Sequence, residues 1–141
     1  MKTKIQSFLA ALFLLAGVVN AQCVMTSQYG SATAPTTGSV NFSTCSFFGE
    51  YSPLNSAAAA TTYTCSITNS GYVTITQGSA TGPVVAFGAS PLTWSTTVAG
   101  TYYAHWAQNA ACATSVACQT TTVAYVGPSA ACTNPAAGGT A

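Results

Sequence analysis

Three sets of residues in this sequence are of types that chemistry could use. The first is Glu50 with His105, the only carboxylate side chain and the only histidine. They could be imagined as an acid–base pair. Such chemistry needs a third group beside them, a nucleophile or a metal, and no residue pattern marks one. Both are therefore read structurally. Glu50 is expected to hydrogen-bond backbone at a strand end, and His105 to lie on a sheet face beside Tyr103. The second set is six cysteines. No Cys-x-x-Cys pair is present and the single histidine is isolated, so a metal centre is set aside and no cofactor is expected. The third set is aromatic: Tyr72, Trp94, Tyr102, Tyr103 and Trp106. Rings left exposed on a flat sheet could stack on the C–H faces of sugars. Plain core packing is the competing reading. Trp94 has core parity, which leaves Tyr103, His105 and Trp106 as candidates for a ligand face.

The elements that must position these residues are strands. From Tyr72 to Trp106 the chain reads as four strands joined by tight turns. Val73 and Ile75 alternate with Thr74 and Thr76, and Leu92 and Trp94 with Thr93 and Ser95. Period-two alternation fits strands with one buried face. Thr81-Gly82-Pro83, Gly88-Ala89-Ser90-Pro91 and Ala99-Gly100 punctuate them. Upstream, Val40–Phe42 and Thr61–Thr68 are predicted strands, Phe47–Tyr51 a strand or bend, and 57–60 a loop. Thr120–Val126 is predicted as the last strand. About eight short strands at roughly 8–12-residue spacing predict an all-β protein, a single antiparallel β-sandwich of jelly-roll type.

The cysteines are expected to staple it. Cys112 and Cys118 flank a short loop and are predicted to pair locally. Cys23 and Cys45 are predicted to pair and tie an irregular lead-in, 22–38, to the sandwich. Cys65 shares parity with Tyr63 and Ile67 and reads as a buried free thiol, with Cys132 left for a partner elsewhere. The alternative is a Cys65–Cys132 bridge.

Residues 1–21 read as a secretory signal peptide: Lys2 and Lys4, an apolar run from Phe8 to Val19 that is short for a membrane span, and small residues before Gln22. The predicted domain is 22–127, and 128–141 reads as a linker or the start of a following β-module. Past residue 4 there is no Lys or Arg, and charged residues are 2% of the 141-residue chain. Nucleic acid is excluded as a partner, because phosphate neutralisation needs basic side chains. A polybasic membrane surface is excluded for the same reason, and no stable membrane insertion is expected. A surface this poor in charge also opposes self-association only weakly.

The ordered set Gly49-Glu50-Tyr51-Ser52, Tyr72-Val73-Thr74-Ile75-Thr76-Gln77-Gly78, Gly82–Gly88, Pro91-Leu92-Thr93, Asn109–Cys112 and Cys118–Thr122 resembles a known module. It is the CUB-like β-sandwich found near the N-terminus of large secreted or surface proteins of Bacteroidetes, often exported by the type IX route. The resemblance runs from about Cys23 to Val126. It implies a longer parent protein and a role in adhesion or matrix binding. Many CUB modules hold calcium through clustered carboxylates. Here Glu50 stands alone and Gly71 precedes the strand where an acid is common, so no calcium site is expected.

The leading expectation is thus a non-catalytic extracellular or cell-surface module that binds a glycan or another protein. One alternative is a subunit of a charge-poor extracellular fibre or sheath, because sheet edges without Lys or Glu lack a common guard against edge pairing. Another is an accessory domain of a secreted hydrolase whose active site lies downstream, since no nucleophile elbow, zinc motif or carboxylate pair occurs in this chain.

Overall fold

The computed structural model describes residues 22–130. The signal-peptide reading, the tail from residue 131 onward and with it Cys132 lie outside the described residues. Ten strand segments run in order: β1 (Ser27–Gln28), β2 (Ala32–Thr33), β3 (Ser39–Phe48), β4 (Glu50–Ala57), β5 (Thr61–Ile67), β6 (Tyr72–Gln77), β7 (Val84–Ala89), β8 (Leu92–Ser95), β9 (Gly100–Ala107) and β10 (Ser115–Pro128). No helix among the described residues is long and apolar enough to cross a membrane.

The strands form two sheets. One has the order β1-β4-β9-β6-β7, with β2 also paired to β4. The other has the order β3-β10-β5-β8. All pairings are antiparallel except those of β1 and β2 with β4, which are parallel. The protein is an all-β sandwich, as the alternation predicts. The four strands of the central block are not one meander, however. β6, β7 and β9 share the first sheet and β8 belongs to the second. The chain changes sheet through the turn at Ser90-Pro91, a cis peptide bond.

Alternation decides what lies between the sheets. In β5 every second residue is buried: Thr61, Tyr63, Cys65 and Ile67. Phe42, Trp94 and Val123 join them from the second sheet. Leu54, Val73, Ile75, Tyr102, Ala104 and Trp106 face them from the first. Ring contacts cross the gap, with Phe42 edge-on to Trp106 at 5.5 Å and Trp94 tilted against Tyr102 at 4.9 Å between centroids. Interdigitation of this kind is how aligned sheets bury their inner faces. Glycine is required at position 71, in the turn into β6. A Cβ there would lie 2.6 Å from Ile67 and 2.8 Å from Phe48. A larger side chain has no room at that position.

Among the described residues two disulfides cross-link the fold, and their pairing corrects the predicted one. Cys23 pairs with Cys112 and Cys45 with Cys118, at Cα separations of 5.3 and 4.2 Å. The reason is topological. Cys45 precedes Ser46 in β3, Ser46 pairs with Gln119 of β10, and the ladder shifts register on both sides of that pair, which brings Cys118 diagonally across from Cys45. Cys112 sits in the turn after β9, beside the outer face of the first sheet. The lead-in crosses that same face. Cys65 is a buried free thiol, as expected from its parity.

Candidate functional site

Strand β9 carries the predicted ligand-facing residues, and its two faces have different fates. Tyr102, Ala104 and Trp106 point into the core. Trp106 is fully buried, and its indole N–H donates to Ser52 Oγ at 3.0 Å. Ser52 in turn donates to the Tyr29 carbonyl at 2.7 Å. Trp106 is therefore a core anchor and not a ligand contact, which corrects that expectation. An indole in the core needs a partner for its N–H, and Ser52 supplies one.

The opposite face of β9 holds Tyr103, His105 and Ala107. It would be exposed in a bare sandwich. Instead, the lead-in lies across it as a strap ahead of β1. The Cys23 amide donates to Thr74 Oγ1 at 3.1 Å, and the Met25 amide donates to His105 Nδ1 at 2.9 Å. Cys23, Met25 and Ala107 form a second small core, with Tyr51, Tyr72 and Cys112 packed against it. The strap carries no periodic pattern, so the sequence reads it as irregular and gives no sign that it covers anything.

His105 is fully buried under this strap. Its second nitrogen, Nε2, lies 3.1 Å from Thr76 Oγ1. The Thr76 hydroxyl already donates to the Ser79 carbonyl at 2.8 Å, so it accepts here and Nε2 carries the proton. Nδ1 is then unprotonated and accepts from Met25. Both ring nitrogens are used, and the imidazole is held neutral. Burial pushes its pKa down to about 4. Protonating Nδ1 would set an N–H against the Met25 amide. His105 is thus a structural group rather than a ligand-facing one, a second correction. It does lie beside Tyr103 and stacks near Tyr51, 5.4 Å between centroids.

Of the three candidates, Tyr103 alone keeps part of its ring at the surface. It meets Tyr51 of β4 edge-on at 6.0 Å. Tyr51 is the member of this pair that sequence reasoning missed. It falls in a predicted strand or bend, but only the register, in which Tyr51 pairs with His105, places it on the strap-covered face.

Glu50 does what a strand-end carboxylate is expected to do. Its Oε2 accepts the Phe47 amide at 2.8 Å across the tight connection between β3 and β4. Around it, Ser27, Phe47, Phe48, Gly49, Thr114, Ser115 and Val116 line an open depression of about 600 Å³ at one end of the sandwich. Val116, at 84% exposure, stands at its rim as the most exposed large apolar side chain described. No group of three or more metal-ligating side chains occurs among the described residues. Glu50 and His105 are separated by function: one closes a turn and the other props the strap.

Trp94 is core, as its parity predicts, and its indole N–H reaches Cys65 Sγ at 3.4 Å. Burial pushes the Cys65 thiol up to about 12, which leaves no thiolate at neutral pH. Compared with known families, characterised proteins and solved structures, the chain finds no match.

Proposed function

We propose that this chain is a non-catalytic extracellular binding module that takes a glycan or protein ligand at the end of the sandwich. One observation carries this reading. The groups that could do chemistry are committed to structural hydrogen bonds, while a concave depression of mixed polarity stays open where loops meet. Loops held by a rigid scaffold are the usual place for recognition. The disulfides suit an oxidising destination outside the cytosol. The resemblance to CUB-like modules of secreted surface proteins points the same way, and export would follow cleavage after Ala21.

The test is retention of the secreted protein on insoluble glucan, chitin and mucin supports, wild type against Val116→Glu. Retention on one support, weakened about tenfold by a charge at the rim, with the unfolding midpoint unchanged, is the expected result. Hydrolysis of a support, no retention on any, or equal retention of the variant overturns the reading.

A further inference from the structure

Strand β7 ends the first sheet, and among the described residues β6 is its sole strand partner. Its sequence is Val84-Val85-Ala86-Phe87-Gly88-Ala89, with no charge and no proline. The other edges are unlike it. β1 and β2 are two residues each and β8 is four. The edge strand β3 is mostly polar, and its ladder breaks register three times. An apolar edge with no charged side chain and no proline is a feature that natural sheets usually avoid.

The hydrogen-bond phase of β7 can be read from the structure. The Ser90 amide donates to the Gly71 carbonyl at 2.8 Å. Inward-pointing residues alternate along an antiparallel strand, so Gly88 and Ala86 also face β6. Phe87 and Ala89 therefore turn their N–H and C=O groups outward. The Phe87 side chain, paired across the ladder with Thr74, lies on the outer face of the sheet and is 36% exposed. A register shift between the Ala86 and Val84 pairings makes Val85 a bulge, which ends the regular edge on one side.

We infer that β7 pairs antiparallel with the β7 of a second copy of this chain, about a two-fold axis at Phe87. That register opposes Phe87 to the partner's Phe87 in a pair exchanging both backbone hydrogen bonds. It sets Ala86 against the partner's Gly88, two small residues where backbones come closest. The contact is isologous and closes at two copies. The occupant is a second copy because the strand is complementary to itself in both hydrogen-bond phase and side-chain size. No charge opposes the approach: Glu50 is the only charged side chain among residues 22–130, and it sits on β4, three strand positions away.

Sedimentation velocity of the secreted full chain up to hundreds of micromolar tests the pairing. Wild type is expected to dimerise. Phe87→Lys, which opposes two ammonium groups directly, is expected to raise the dissociation constant more than about tenfold. Val98→Lys, at an exposed apolar residue off this edge, leaves dimerisation unchanged. Hydrogen exchange adds a sharper reading, in which the Phe87 amide gains protection with concentration while that of Gly88 is protected throughout. A monomer at every concentration, a dimer indifferent to Phe87→Lys, equal loss in Val98→Lys, or a covalent dimer on a non-reducing gel overturns the inference.

Discussion

Lowering the pH should loosen this protein through one side chain. His105 is neutral in the folded state, with a pKa near 4 against 6.5 for an unperturbed imidazole. Between those values the unfolded chain binds a proton that the folded chain refuses, so folding stability rises with pH. The contribution is fully present above about pH 6.5 and is lost as pH falls towards 4. At ~1.4 kcal/mol per pH unit, the loss is about 2 kcal/mol at pH 5 and about 3 kcal/mol at pH 4. The background is unusually clean, because there is no second histidine and one carboxylate side chain in the chain. The assay is urea unfolding with disulfides intact at a series of pH values. With a urea slope of ~1.5 kcal/mol/M, the midpoint should fall by roughly 1.3 M between pH 7 and 5. The comparison is His105→Asn, whose side-chain oxygen can still accept from the Met25 amide but does not titrate. Its midpoint should be lower at neutral pH and flat across the range. A flat wild-type profile, or an equal slope in His105→Asn, would refute the account of a neutral, doubly bonded imidazole.

Two further outcomes follow from the cross-links and the buried thiol. Cys23→Ser releases the strap from Cys112, 89 positions away, and should cost about 4 kcal/mol of stability, measured by the same urea titration. For Cys65, iodoacetamide followed by peptide mapping should leave it unlabelled in the native protein and label it fully in denaturant, since it is buried and its pKa lies near 12. Native labelling at the rate of a free thiol would refute that burial.

The strands were legible because their sequence alternates. β5 shows it most simply, with Tyr63, Cys65 and Ile67 inward and Thr62, Thr64 and Ser66 outward. Trp94 and Cys65 could be placed in the core on parity alone. Parity cannot say which sheet a strand joins, and so β7 and β8 read only as strands joined by the turn at 88–91. Nor can it say whether a second face is open. His105 has the parity of an outer face, and only the strap turns that face into an interior. The strap reads as irregular because its buried residues, Cys23 and Met25, are too few to display a period. The disulfides follow the same rule: Cys112 and Cys118 are close in sequence but serve opposite sheets, and proximity along the chain carries no information about that.

The Cys23–Cys112 bond also changes how the domain would carry load. A pull applied at Gln22 and at Ala130 bypasses strands β1 to β9 and is carried by β10 alone. It passes from Cys23 directly to Cys112 and then along the eighteen residues to Ala130. At ~3.5 Å per residue that path extends to roughly 60 Å, a small part of what the whole chain would release. The intervening strands are sheltered inside a covalent loop. As a link in a tethered surface protein, such a unit would behave as a short, nearly inextensible tie rather than as a spring.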